Sequence, residues 1–260
     1  MMALVRRLLT IPISHYCEKA RWALDRAGLD YEEERHLQGM NRIVSRRAGG
    51  RGTLPVLVAD EGVFAESEEI VRYADAALDP DLRLIPSEAD LREQVLELSR
   101  RLDGGLGPDG RRLMYARMLP LKRDLLDFNN QGVPPWEARV LAAAWPLATR
   151  CIERGLGIGP ATLAEDDRRV RAAFDEMAEL LADGRRHLCG DRFTAADLTF
   201  ACLAAPVTVP PEYTVRLPQP DELPDEIASD IRAYREHPAG AYALALFREH
   251  RERRPAAVPG

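Results

Sequence analysis

Three short segments of this chain carry side chains able to do chemistry. Ser14-His15-Tyr16-Cys17 follows an apolar run and leads into a helical stretch. A hydroxyl, a phenol and a thiol thereby fall at a helix N-terminus, where free N–H groups and the helix dipole favour anions. Thr53-Leu54-Pro55-Val56-Leu57 sets a proline where a strand begins, a position that tolerates the missing donor. Glu66-Ser67 then places an acid and a hydroxyl at the start of a second helix. This set suits a small anionic thiol compound better than a metal, a nucleotide or a protein strand.

Each residue also has a purely structural use. Ser14 is a good helix N-cap, and a hydroxyl there can equally donate to a sulfur and favour its thiolate. Tyr16 offers a second proton donor or simply an aromatic wall. Cys17 closes a Ser-x-x-Cys pattern, a redox Cys-x-x-Cys without its first thiol, or packs under the helix as a small residue. Glu18 adds negative charge to the same helix start, which works against any thiolate. Ser67 reads as another N-cap, since Ile70 and Val71 begin the apolar face behind it.

The elements that must position these groups follow from periodicity. Leu4–Ile11 reads as a buried strand, 17–27 as a helix stopped by Gly28, and Tyr31–His36 as a short charged strand. Residues 38–52 form a polar loop with no helical period. Residues 54–59 and 63–65 flank Asp60-Glu61-Gly62, a hairpin signal, and 67–77 is helical. The first eighty residues therefore read β-α-β-loop-β-β-α, a parallel pair with a right-handed crossover plus an antiparallel edge.

Residues 78–86, rich in proline, form a linker. Beyond it helices dominate. One starts near Ser87-Glu88-Ala89-Asp90, and glycine-rich 103–110 interrupts the pattern. Residues 113–128 resume it with a break at Pro120, 129–135 is a loop, and 136–154 carries a kink at Pro146. Residues 165–183 are amphipathic, 197–205 nearly all apolar and hence central. Residues 206–224 form an irregular proline-rich excursion, and a helix over 239–250 precedes a frayed Arg/Pro tail. The domains are thus 1–80 and 87–260.

Composition excludes several classes. With 46% hydrophobic and 30% charged residues, the 260-residue chain is globular. A net charge of -6 disfavours nucleic acid. No apolar run reaches a membrane span of about 20 residues. The start, Met1-Met2-Ala3-Leu4-Val5-Arg6-Arg7, lacks the pattern of a signal peptide. Four cysteines at 17, 151, 189 and 202 fit neither a disulfide framework nor a zinc site, so a reducing cytoplasm is expected.

The chain resembles the cytosolic glutathione transferase superfamily. Ser14 to Leu24 looks like the segment around that family's active site, and Thr53 to Leu57 with Glu66 to Ile70 like its glutathione-binding segments. Gly190-Asp191-Arg192-Phe193-Thr194-Ala195-Ala196-Asp197-Leu198 is similar to the capping motif of its central helix. The resemblance implies an α/β thioredoxin-like N-terminal domain followed by an all-α C-terminal domain, with a helix inside 38–52 that periodicity does not show. It puts Ser14 at the position of the catalytic serine or cysteine, with Tyr16 and Cys17 as rivals. It implies a cis Pro55, a Leu54 backbone that pairs with the tripeptide, and Glu66 and Ser67 on its γ-glutamyl end.

A cation for the glycyl carboxylate is implied within 38–52, with Arg42, Arg46, Arg47 and Arg51 all available. Glutathione is then the cosubstrate, without a metal, joined to a small hydrophobic electrophile. That electrophile would lie against residues 106–115, with Met114, Tyr115, Met118 and Trp136 as candidates. A homodimer is expected, with neither nucleic acid nor membrane as partner. Two alternatives accompany this reading: a glutathione-dependent thiol-disulfide reductase using Cys17, and a non-catalytic binding module of the same fold. Thr194 and Asp197 have a structural role only, as a capping box. Segments 128–160 and 206–224 read as a partner surface or as decoration.

Overall fold

The computed structural model describes residues 5–251. Leu4, the start of the expected first strand, and the expected frayed tail past Arg251 lie outside them. The described residues fall into two compact units. One holds residues up to Arg83 together with Leu126–Ala144; the other holds Leu84–Leu125 and Trp145–Arg251. Segment 126–144, which the sequence places within the helical region, thus groups with the first unit.

In the first unit, strands β1 (Arg7–Thr10), β2 (Glu32–Arg35), β3 (Val56–Ala59) and β4 (Gly62–Phe64) form one sheet in the order β2-β1-β3-β4. β1 and β2 are parallel, with Leu8 opposite Glu33; β3 is antiparallel to both β1 and β4. Helices α1 (His15–Arg26) and α3 (Ser67–Ala76) pack against each other. The fold is the thioredoxin-like arrangement that the resemblance implies.

Helix α1 is delimited at both ends. Ser14 caps its start, and Gly28, at φ +67°, ends it in a Schellman motif. There Gly28 N–H donates to Asp25 C=O at 3.0 Å and Leu29 N–H to Leu24 C=O at 3.1 Å. Residues 38–52 are not all loop: α2 spans Asn41–Arg47. Its two turns bury Ser45 alone, so it never acquires an apolar stripe for periodicity to detect.

In the second unit, α4 (Ala89–Gly104) and α5 (Leu106–Met118) are separated by Gly105 only, so the glycine-rich stretch is helical on both sides. Gly110 lies inside α5, where an added Cβ would make only ordinary contact with the Leu203 carbonyl at 3.6 Å. The chain breaks near Pro120 before α6 (Lys122–Asn129), as expected. α7 (Pro135–Ala143) and α8 (Trp145–Leu156) are separate helices. Pro146 is therefore no kink but the second residue of α8, within the first turn where proline is tolerated.

α9 (Pro160–Leu181) begins earlier than its apolar period suggests. α10 (Ala195–Thr208) is buried over almost its whole length and continues through Pro206, three residues past where the prolines suggest irregular chain would begin. The Asp197 carboxylate accepts from the N–H and hydroxyl of Thr194, each at 2.8 Å, and from Leu188 N–H at 2.8 Å. After a short 3-10 turn at Pro220–Glu222 come α11 (Asp225–Glu236), absent from the sequence reading, and α12 (Pro238–His250). Arg235 of α11 donates to the Thr208 and Val209 carbonyls at 2.8 and 2.7 Å, satisfying the end of α10.

Candidate functional site

Ser14 is the N-cap of α1, and its Oγ accepts from the Cys17 N–H at 3.4 Å, a long bond. Accepting this bond does not use the hydroxyl proton, so capping and donation to a sulfur are compatible. Tyr16 is half-buried and its ring lies 4.4 Å from that of His15.

Cys17 is fully buried in a cluster with Leu9, Leu54 and Val56. Its Sγ accepts from the Ile11 N–H at 3.3 Å. Burial pushes the thiol above its ordinary value, against the Arg21 charge and the bond with Ser14, which lower it. Packing of Cys17 on Leu54 brings the 54–55 turn beside the first turn of α1. The Leu54–Pro55 bond is cis, as the resemblance implies. Among the described residues, nothing hydrogen-bonds to the Leu54 backbone.

At α3 the N-cap is Glu66, whose side chain makes no cap bond, and Ser67 is the first helical residue rather than the cap. Its hydroxyl is therefore not used up in capping. Glu69, which sequence reasoning missed, holds this helix start: its Oε2 accepts from the Ala65 N–H at 2.8 Å. The signal was present, since an acid three residues after the N-cap is half of a capping box.

A buried ionic network also escaped the sequence reading. Arg21 is fully buried in α1 and donates to the carbonyls of Ile11 and Pro12 at 3.3 and 3.2 Å. These residues lie three and two positions before Ser14. Arg21 also bonds Glu18 at 3.3 Å and Glu33 at 2.6 Å, while Arg35 reaches Glu33 at 2.8 Å. Burial opposes the charge on Glu33, but Arg21 and Arg35 outweigh it and bring the carboxyl down to about 2. Glu18 is thus offset by a partner, and the objection it raised against a thiolate is removed.

The four arginines of the loop stretch differ. Arg42 lies exposed in the first turn of α2, and Arg46 and Arg47 are exposed in its last turn. Arg51 is paired, 3.2 Å from Glu69 and 4.0 Å from Glu66. Of the suggested electrophile contacts, Tyr115 and Met118 are buried in the helical unit, Met114 is half-buried and Trp136 is 51% exposed on α7.

Among the described residues no group of His, Cys, Asp or Glu could hold a metal. No helix among them is long and apolar enough to cross a membrane.

Comparison with known proteins agrees with this fold. Residues 8–80 match the family model described as glutathione S-transferase, N-terminal domain, and residues 160–237 that of the C-terminal domain. No curated protein matches the sequence. Among solved structures, a glutathione transferase of Phanerochaete chrysosporium is 20% identical with a TM-score of 0.64, over 97% of this chain and 100% of that one. A glutathione S-transferase of Ceriporiopsis subvermispora, solved with glutathione, is 21% identical with a TM-score of 0.63, over 98% and 100%. One from Rhodospirillum rubrum is 21% identical with a TM-score of 0.59, over 97% and 90%. The chain belongs to the cytosolic glutathione transferase superfamily.

Proposed function

We propose that this chain binds glutathione and adds its thiolate to a small apolar electrophile, with Ser14 favouring the ionised sulfur. One observation carries the reading: Ser14 caps α1 as an acceptor, a role that does not use its hydroxyl proton, and that hydroxyl already serves a sulfur, that of Cys17, whose thiol it lowers. The cysteine of the tripeptide would pair with the open Leu54 backbone, a single-residue form of strand addition. Its γ-glutamyl end would meet Ser67 and Glu66 at the start of α3.

A free thiol, with a pKa near 8.5, is mostly protonated at neutral pH, and each unit of lowering is worth roughly 1.4 kcal/mol. Holding the ionised sulfur in place is then the main catalytic contribution. A cytoplasmic homodimer is part of the proposal and comes from the family.

Nothing favours the disulfide alternative. Cys17 is buried and its thiol is held above the ordinary range, the reverse of a reactive cysteine. A non-catalytic module predicts glutathione binding without turnover, or none. Ser14→Ala is the test. It should lower kcat/KM for a model electrophile by about 10- to 100-fold at neutral pH, with the deficit shrinking as rising pH ionises the thiol unaided. Cys17→Ala should retain turnover. If Ser14→Ala is silent at every pH, Ser14 is not the activator.

A further inference from the structure

The glutathione reading leaves the role of Arg51 open, and its surroundings answer that. The Arg51 backbone is anchored on both sides. Gly50 N–H donates to the Ser45 carbonyl at 2.7 Å and Gly52 N–H to the Ser45 hydroxyl at 2.9 Å. The Gly52 carbonyl accepts from the Asn41 amide at 3.1 Å. Gly49 and Gly52 adopt φ of +87° and +100°, and a Cβ on Gly50 would fall 2.6 Å from Ser45 Oγ. Three glycines therefore hold this loop in one course, with a single long side chain between its anchors.

That side chain reaches the start of α3. Arg51 Nη2 is 3.2 Å from Glu69 Oε1, and Nη1 is 4.0 Å from Glu66 Oε1, on the N-cap residue that precedes Ser67. In the reading above, this helix start takes the γ-glutamyl end, which bears an ammonium and a carboxylate. Glu66 and Glu69 alone would attract the first and repel the second. Arg51 supplies the missing positive charge, and its planar fork matches two carboxylate oxygens. Its side chain is 67% exposed, and an exposed ion pair holds it only weakly, so it can turn from Glu69 to a ligand at small cost.

We propose that Arg51 binds the α-carboxylate of the ligand's γ-glutamyl residue, not the glycyl carboxylate. The assignment rests on the glutathione reading and makes the pocket selective for a γ-glutamyl zwitterion. Arg42, Arg46 and Arg47, none of which forms an ion pair among the described residues, are left for the glycyl end.

Calorimetry with three ligands tests this on the full chain: glutathione, γ-glutamylcysteine, which lacks the glycine, and a glutathione analogue whose γ-glutamyl α-carboxylate is replaced by hydrogen. Arg51→Ala should weaken glutathione and γ-glutamylcysteine by the same factor, about five- to tenfold, as one exposed charge-assisted contact gives. It should leave the decarboxylated analogue bound as in the wild type. A thermal melt checks that the exposed substitution leaves folding intact. Loss for glutathione but not for γ-glutamylcysteine would return Arg51 to the glycyl end and overturn the assignment. Equal loss for the decarboxylated analogue would overturn it too, by showing that Arg51 acts only through its glutamates. If the wild type binds glutathione and Arg51→Ala binds it equally well, this assignment alone fails. If the wild type binds none of the three, the glutathione reading fails first and takes the assignment with it.

Discussion

Replacing Glu33 by glutamine tests how the loop before Ser14 is held. One Glu33 oxygen accepts from Arg21 Nε and Thr10 Oγ1, each at 2.6 Å; the other accepts from Arg35 Nε at 3.0 Å and Nη2 at 2.8 Å. The Arg21 side chain is fully buried and that of Glu33 is 4% exposed. Against the burial that would raise it, the two guanidinium groups bring the carboxyl from 4.5 to about 2. A carboxyl depressed by folding stabilises the fold above its unfolded pKa, and that contribution disappears as pH falls to the folded value. For Glu33 it is complete above about pH 4.5 and lost by about pH 2.

A depression of this size corresponds to about 3 kcal/mol. Glu33→Gln keeps the shape and leaves a buried guanidinium short of one carboxylate, a defect worth roughly 3–5 kcal/mol. The two estimates agree on a loss of about 3 kcal/mol at pH 7, read by urea denaturation beside the wild type. Because the wild type surrenders its advantage in acid, the gap should narrow from about pH 4.5 downwards. A gap under about 1 kcal/mol at pH 7, or one that does not change with pH, would refute the view that charge on Glu33 holds this network.

Three further outcomes are expected. Gly50→Ala puts a Cβ 2.6 Å from Ser45 Oγ and 2.7 Å from Val56 Cγ2, so it should cost about 1–3 kcal/mol in denaturant titrations. Glu137→Ala removes a buried carboxylate that accepts from the Leu37 N–H at 2.9 Å and meets His36 Nδ1 at 2.8 Å; it should destabilise the first unit by about 1–3 kcal/mol and speed hydrogen exchange at the Leu37 amide. A thiol reagent added to the native protein should modify exposed Cys151 first, leaving buried Cys17, Cys189 and Cys202 until unfolding; mass mapping of the labelled peptides decides it.

What could be read in advance was what local chemistry encodes. The β-α-β opening, the hairpin at Asp60-Glu61-Gly62, the α1 stop at Gly28 and the Thr194/Asp197 box depend on short-range propensity and capping, and each appears where the residues put it. Helix α2 was missed because it buries one residue. Pro206 alone predicts the end of this helix, but buried packing continues it to Thr208. Residue type makes Ser14 and Ser67 equal cap candidates, yet only Ser14 is one. Ser67 falls one residue inside, since the turn that decides between neighbours lies within a single residue's φ and ψ.

The sequence by itself determined the candidate set, a hydroxyl at one helix start and Glu66-Ser67 at another with Leu54-Pro55 between, because type and spacing fix which groups face a helix terminus. Only the tertiary structure decided their partners. It buried Cys17, offset Glu18 with Arg21, turned Arg51 towards Glu66 and Glu69, and set Glu137 on His36 and Leu37, about a hundred residues away in the chain. Burial and ion pairing depend on which distant segments meet, and no local spacing carries that information.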